Sequence, residues 1–365
     1  MTVPPRPGEG ALTFRIDRAA LAGVFAIGLA LQAAPALAQA APPSPEVIEQ
    51  TRRNAELGNA AAQHNMGYYF YSGIGGRRDH VQARSWFRLA ADQGLVQSQY
   101  NLARMFHRGE GGASDYAEAV RYYRLAADQG YAQAQSDLGV MYENGRGVPL
   151  DFAQAVRWYR LAAEQGYANA QSNLGYMYHN GRGLPQDFAQ ALRWYRLAAD
   201  QGFANGQYNV GYLYEAGQGV PQDHQQALHW YRLAAEQGFA NAQSAMGAMY
   251  EHGRGVPEDL EQAAHWYRLA ADRGFAEGQN RLGSLYYQGR GVTLDHALAA
   301  QWQRRAAEQG HVAGQASLGY LYERGEGVTR DLDEAASWYR RALESSPEYE
   351  FAREGLARIE GAAQR

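Results

Sequence analysis

Apolar residues recur at helical spacing in a pair of segments that repeats along this chain. In one copy, Ala134, Leu138 and Met141 are spaced by four and three residues, which predicts a helix from about 132 to 144 with one buried face. The next apolar group, Ala155, Trp158, Tyr159 and Ala162, predicts a second helix from about 152 to 165. Each copy is therefore expected to form a helical hairpin.

The same pattern returns every 36 residues. Eight copies cover 59–94, 95–130, 131–166, 167–202, 203–238, 239–274, 275–310 and 311–346, and all seven tryptophans share one register. A fixed period of this length indicates stacked repeats. We predict an all-α protein, an α/α solenoid of eight two-helix repeats, with helical caps at 46–58 and 347–365 and with Ser44 as the N-cap of the first cap.

Most other recurring residues fit structural roles. Gly139 would permit a close helix crossing, and Gly145 and Gly147 would turn the chain after the first helix. Asp151 has a counterpart in every copy and precedes Gln154 by three residues, which predicts a capping box. Gln135 also recurs throughout, and we expect it to satisfy backbone groups rather than to bind a ligand.

The second helix carries a Trp-Tyr pair that we assign to the core. Arg160 recurs with it, four residues before an acid. We favour a solvated face with weak pairing between Arg160 and Glu164. The alternative is a guanidinium stacked on an aromatic ring of the next repeat.

The amino-terminal segment predicts export. Arg15 and Arg18 precede an apolar run over 19–31, and small residues at Ala36, Ala38 and Ala40 form two cleavage patterns. We read 1–38 as a signal peptide cleaved near Ala38 or Ala40, and 39–45 as a linker. An uncleaved anchor is the alternative. The mature protein is expected to be periplasmic or secreted, with no stable membrane insertion.

Composition and charge exclude several function classes. The formal net charge is −4, which argues against nucleic acid as a partner, and the chain has no cysteine for a disulfide, a thiol nucleophile or a cysteine-based metal site. The ten histidines are scattered and no zinc-type His-Glu-x-x-His motif occurs. We predict no catalytic residue, no metal and no cofactor. An enzyme acting on envelope material is the disfavoured alternative.

The recurring residues resemble the Sel-one-like repeat family, a relative of the tetratricopeptide repeats. The resemblance covers about 59–346 and rests on the Leu-Gly, Gly-x-Gly-Val, Asp and Trp-Tyr signatures seen in Leu138-Gly139, Gly145 to Val148, Asp151 and Trp158-Tyr159. It implies a superhelix used as a scaffold for protein–protein interaction. Exported bacterial members serve in the cell envelope, which suggests a sensor kinase or a polysaccharide-assembly component as partner. We expect a monomer.

Four positions of each first helix vary between copies: those of Gln133, Asp137, Val140 and Asn144, which share one helical face. We call this set in all copies the recognition stripe. In related solenoids this face is concave, and tyrosine and arginine favour recognition. The predicted contact residues are Tyr68, Arg104, Asn173, Tyr176, Asn209, Tyr212, His252, Arg281 and Tyr320. Plain surface drift without a partner, and binding of an envelope glycan, are the alternatives.

Overall fold

The computed structural model describes the backbone of residues 43–363 and the side chains of residues 43–361. This part of the chain contains eighteen helices and no strand. The predicted signal peptide and most of the predicted linker lie outside the described residues. No helix within residues 43–363 is long and apolar enough to cross a membrane.

The helices alternate as first and second helices of successive repeats. They are α1 Pro45–Glu56, α2 Ala60–Ser72, α3 His80–Asp92, α4 Val96–Arg108, α5 Tyr116–Asp128, α6 Ala132–Asn144, α7 Phe152–Glu164, α8 Ala168–Asn180, α9 Phe188–Asp200, α10 Ala204–Ala216, α11 His224–Glu236, α12 Ala240–Glu251, α13 Leu260–Asp272, α14 Ala276–Gln288, α15 His296–Glu308, α16 Val312–Arg324, α17 Leu332–Ser345 and α18 Glu350–Ala363. The predicted α/α solenoid of eight repeats is confirmed.

The described residues fall into two units, 43–201 and 202–363. Each unit contains four helical hairpins and one of the two cap helices. Within each unit, a core of alanines and aromatic rings runs between the helices. The cap helix α1 begins at the predicted N-cap, where Val47 N donates to Ser44 Oγ at 3.4 Å, and Ala55 buries against the first repeat.

Glycine lets the two helices of a hairpin approach closely. The ring of Tyr159 lies against Gly139, and a Cβ on this glycine would be 2.6 Å from the ring. Gly147 adopts φ of 72°, and a Cβ there would lie 2.2 Å from the carbonyl oxygen of Tyr116 in the preceding repeat. The predicted crossing and turning roles are confirmed, since neither site has room for a side chain.

Aspartate caps all eight second helices, as predicted. Asp151 Oδ1 accepts from Gln154 N at 3.0 Å, and Asp295 caps α15 in the same way although leucine stands three residues later. In a capping box, the side chain of Gln154 would in turn accept a hydrogen bond from Asp151 N. Asp151 N instead donates to Tyr142 O at 3.0 Å, so this part of the prediction is wrong. The aspartate alone caps the helix.

The recurring glutamine joins one repeat to the end of the preceding helix. Gln135 Nε2 donates to Ala127 O at 3.1 Å, and Gln135 Oε1 accepts from Gln165 Nε2 at 2.7 Å. Ala127 is at the end of α5, where carbonyl groups have no intrahelical donor. The structural role predicted for this buried amide is confirmed.

Arg160 lies on an exposed face, as predicted, but it contacts the next repeat instead of pairing with Glu164. Its Nη2 donates to the hydroxyl of Tyr178 at 3.2 Å. Arg268 donates in the same way to Tyr286, and its guanidinium carbon lies 5.5 Å from the centre of that ring. The aromatic partner is preferred because a guanidinium can both stack on a ring and donate to its hydroxyl.

A second contact between repeats joins residues 39 positions apart. Glu143 Oε2 accepts from Tyr159 within its own repeat at 2.6 Å, and Glu143 Oε1 pairs with Arg182 of the next repeat at 3.6 Å. Burial raises the pKa of Glu143, although both partners act in the opposite direction. A set of equivalent pairs comprises Glu215–Arg254 and Glu251–Arg290.

The carboxy-terminal cap completes this arrangement at the end of the array. Glu323 is the last residue at the position of Glu143, and it accepts from Arg358 of α18 at 2.9 and 3.0 Å. Tyr339 Oη donates to the same carboxylate at 2.8 Å. The predicted cap thus supplies the arginine that another repeat would otherwise provide.

Candidate functional site

The recognition stripe lies on the first helices and is mainly half-buried. Tyr68, Tyr176, Tyr212 and Tyr320 each present part of a ring to solvent while the rest packs against neighbouring helices. A ring that is held by packing loses little conformational entropy when it binds a partner. These four tyrosines are therefore suited to the recognition role predicted for them.

Arg104 is not a surface residue as predicted. Its side chain is buried, with 3% of the residue exposed. It lies near Asp137 of the next repeat, whose carboxylate also accepts hydrogen bonds from the hydroxyls of Tyr100 and Tyr123. Burial raises the pKa of Asp137 to about 6, against the opposing effect of Arg104. Within the stripe, Arg104 balances the charge of the half-buried Asp137, because an unpaired charge at this depth would be costly.

Two asparagines of the stripe form hydrogen bonds along their own helices. Asn173 Nδ2 donates to Asn169 Oδ1 at 3.1 Å and remains half-buried. Asn209 Nδ2 donates to Asn205 Oδ1 at 2.8 Å, but only 5% of Asn209 is exposed. The prediction of Asn209 as a contact residue is therefore corrected, since its amide is enclosed by its own unit.

Arg281 belongs to a charged cluster in the unit of residues 202–363. Its Nε lies 2.6 Å from Glu277 Oε1, and His311 Nε2 lies 2.8 Å from Glu277 Oε2. Gly314 N donates to His311 Nδ1 at 3.1 Å, so Nδ1 is the acceptor and Nε2 carries the proton that reaches Glu277. Burial raises the pKa of Glu277, but His311 and Arg281 outweigh it and lower the value to about 2.

His252 lies at the exposed end of the stripe. It is the C-cap of α12, and its backbone N donates to Ala248 O at 3.1 Å. Partial desolvation of the ring lowers its pKa, with Glu251 acting in the opposite direction. The structure therefore brings Arg281, Glu277 and His311 together. The end of α12 determines the position of His252.

Sequence reasoning missed a cavity in the last two repeats. Its volume is about 20 Å³, and it is open to solvent and lies among Ser284, Tyr287, Gln303, Ser317 and Tyr320. The signal was present in the sequence, because Gln303 occupies a position that is Tyr or Phe in all seven other repeats. From the sequence alone the ring at this position is assigned only to general packing, which does not indicate that its replacement leaves a cavity.

The described residues contain no group of three or more His, Cys, Asp or Glu side chains that could hold a metal ion. The charged clusters around Asp137 and Glu277 are instead internally paired. Within each unit, the first helices of successive repeats present hydrogen-bond donors, acceptors and aromatic faces. Such a surface is suited to contacting an extended partner.

Comparison with known proteins agrees with the fold. The family model described as "Sel1 repeat" matches residues 60–95, 96–131, 132–167, 168–203, 204–239, 240–275, 276–311 and 312–346. No curated protein sequence matches.

Two solved structures are similar over most of this chain. A protective antigen of uropathogenic Escherichia coli strains, displaying an SLR fold, is 38% identical with a TM-score of 0.70, and the match covers 86% of this chain and 67% of that one. A Sel1 repeat protein from Oxalobacter formigenes is 33% identical with a TM-score of 0.67, covering 87% of this chain and 92% of that one. With eight matched repeats that follow one another without a gap, the chain belongs to the Sel1 repeat family.

Proposed function

We propose that this protein is an exported scaffold or regulator of the bacterial cell envelope that binds protein segments along the recognition stripe. Sel1 repeat solenoids are generally non-catalytic scaffolds for protein interaction. The observation that carries the proposal is the set of half-buried tyrosines, Tyr68, Tyr176, Tyr212 and Tyr320, at a position of the first helix that varies between repeats. Tyrosine at a variable position of a repeated helix is typical of a surface that selects its partner.

The proposed partner is a protein of the envelope, such as a sensor kinase or a component of polysaccharide assembly. The predicted signal peptide supports export, and the 38% identical E. coli protein being a protective antigen supports it further. The net charge of −4 favours a protein over nucleic acid.

The decisive experiment replaces one stripe tyrosine in each unit, Tyr176→Ala and Tyr212→Ala, and measures capture of envelope proteins by mass spectrometry. Loss of a hot-spot aromatic removes about 2 kcal/mol or more of binding free energy, so each variant should weaken the affinity for the specific partner about thirtyfold or more. Tyr116→Ala is the matched control, because Tyr116 is exposed on a second helix outside the stripe.

Circular dichroism must show unchanged helix content in all three variants. Capture that is equal in the wild type and both stripe variants would refute the use of the stripe. Direct binding of purified protein to peptidoglycan or exopolysaccharide, lost in the stripe variants, would replace the protein partner with a glycan. Fractionation and the amino-terminal sequence of the mature protein test export and cleavage near Ala38 or Ala40.

A further inference from the structure

The first repeat carries an arginine at a position that is apolar in every other copy. Arg84 lies on α3, four residues before Arg88. Its counterparts in the other repeats are Val120, Val156, Leu192, Leu228, Ala264, Ala300 and Ala336. A charged side chain in place of an apolar one is destabilising unless its surroundings change with it.

The second repeat, against which α3 packs, does change with it. The loop after α4 has Gly112 at the position that Val148 occupies in the third repeat. A Cβ on Gly112 would lie 2.6 Å from Nη1 of Arg84, so the guanidinium occupies space that a larger residue would need. In the next pair of repeats, Val120 and Val148 belong to one apolar cluster. Arginine and glycine thus replace the two valines together.

The ring of Phe106 lies beside two guanidinium groups. The guanidinium carbon of Arg84 is 3.7 Å from the centre of this ring, and that of Arg88 is 5.5 Å from it. In the following repeats the residue at this position is tyrosine, and Arg124, the counterpart of Arg88, donates to the hydroxyl of Tyr142. Phenylalanine has no hydroxyl, so Arg88 lacks the acceptor that Arg124 has.

Neither guanidinium forms an ion pair or donates a hydrogen bond within the described part of the chain. Asp115 and Glu118 act on Arg84 from a greater distance, but Asp115 caps α5 and Glu118 pairs with Arg121 at 3.0 Å. Burial lowers the pKa of Arg84, and the charge of Arg88 acts in the same direction. Like charges four residues apart on a helix repel each other, and a bound anion would offset this repulsion.

The two arginines are accessible to a ligand. Arg88 is exposed and Arg84 is half-buried, and the neighbouring Gly112 and Ala113 are exposed and small. A guanidinium presents a planar fork of N–H donors that matches the oxygens of a carboxylate or a phosphate. A phosphate group is favoured here, because it carries up to two negative charges against the two positive charges of the arginines.

We propose that Arg84 and Arg88 bind a phosphate group beside the ring of Phe106, at the junction of the first and second repeats. Both arginines lie on a second helix, whereas the recognition stripe belongs to the first helices. The proposal therefore does not depend on the proposed scaffold function. The free ion and a phosphate ester are the two sources of such a group, and the test separates them.

The test titrates inorganic phosphate into the full chain at constant ionic strength and follows the side-chain N–H signals of Arg84 and Arg88 by NMR. We expect saturable shifts with a dissociation constant in the roughly millimolar range typical of so few ligand atoms. Acetate should bind about tenfold more weakly because it carries a single negative charge. Glycerol 1-phosphate distinguishes the sources: equal or tighter binding supports an esterified ligand, and binding of inorganic phosphate alone supports the free ion.

Arg84→Val is the decisive variant. It introduces the residue that the second and third repeats carry at this position, so it is expected to fold, and phosphate affinity should fall about tenfold or more. Phe106→Tyr gives Arg88 the hydroxyl acceptor that Arg124 has, so this variant should also weaken phosphate binding. Arg157→Ala is the matched control, because Arg157 is exposed on a second helix and has no carboxylate partner in the described part of the chain.

The control variant should bind phosphate as the wild type does, and circular dichroism should show equal helix content in all variants. The absence of saturable shifts in the wild type would overturn the proposal. Equal phosphate affinity of Arg84→Val and the wild type, or equal affinity of the wild type for phosphate and acetate, would overturn it as well.

Discussion

Gly139→Ala should destabilise the protein even though alanine is the better helix former. Alanine in a helix interior is favoured over glycine by about 1 kcal/mol. Against this gain, the added methyl would lie 2.6 Å from Cε1 and 2.7 Å from Cδ1 of the Tyr159 ring. Overpacking of this kind costs about 1–3 kcal/mol.

Displacement of the ring has a second cost. Tyr159 is fully buried, and its hydroxyl donates to Glu143 at 2.6 Å. If the ring moves, a largely buried carboxylate loses a donor, which costs about 1–3 kcal/mol. We expect a net loss of about 2 kcal/mol in the free energy of unfolding, since the two costs together exceed the helix-propensity gain.

The second repeat illustrates the alternative arrangement. Ala103 stands at the position of Gly139, and the hydroxyl of Tyr123 donates to Asp137 of the next repeat instead of to a glutamate of its own repeat. In the repeat that carries Ala103 at this position, the hydroxyl of Tyr123 thus donates to a different acceptor. The third repeat has no carboxylate at that place, because Asn173 takes the place of Asp137 in the repeat that follows it.

Urea unfolding followed by tryptophan fluorescence measures the effect, and hydrogen exchange in α6 and α7 locates it, because repeat arrays need not unfold in one step. Gly283→Ala is the matched control at the same repeat position. Its nearest neighbour is the amide of Gln303, with Nε2 at 2.9 Å, rather than an aromatic ring, so it should destabilise the protein less than Gly139→Ala. A Gly139→Ala protein that equals or exceeds the wild type in stability would refute the argument.

Three further predictions concern capping, inter-repeat pairing and acid stability. Asp151→Ala should lower the free energy of unfolding by about 1 kcal/mol through loss of the cap on Gln154 N, measured by urea denaturation against Gln154→Ala, which should have little effect. Arg254→Ala should destabilise the protein by about 1–2 kcal/mol because Glu215 loses its charged partner at 3.0 Å. The double variant with Glu215→Gln should recover part of this loss. If the effects of the two single variants simply add, the pair is not coupled. Burial lowers the pKa of His179 to about 4, so its contribution to stability is present above pH 6.5 and is lost as the pH falls towards 4, by up to about 3 kcal/mol. Between pH 7.5 and 4.5 the urea midpoint of the wild type should therefore fall further than that of His179→Gln. An equal fall in both proteins would contradict this prediction.

The helices and their ends were predictable because the determining interactions are local. The predicted first helix of the third repeat, 132–144, coincides with the observed Ala132–Asn144. The predicted second helix, 152–165, ends one residue beyond the observed Phe152–Glu164. Caps depend on residues within three or four positions, and glycine at a positive φ follows from the absence of a side chain.

The contacts between repeats were harder to predict from the sequence, although the chain contains a signal for them. Glutamate at the position of Glu143 is followed 39 residues later by arginine in the pair Glu143–Arg182. Where that position is tyrosine, as in Tyr71 and Tyr287, glutamate follows at the same distance. Comparison of copies within one sequence would have found this covariation, but only the stacking of repeats explains why residues so far apart meet.

The sequence by itself therefore determined the repeat, its two helices, their caps and the family. The tertiary structure decided which residues of the recognition stripe are available. Arg104 and Asn209 belong to the predicted face but are buried, whereas Tyr176 and Tyr212 remain partly exposed. Exposure depends on how neighbouring helices approach and which side chains fill the space between them, as the cavity beside Gln303 shows. Helical periodicity assigns a residue to a face, and only packing against other repeats determines what that face presents.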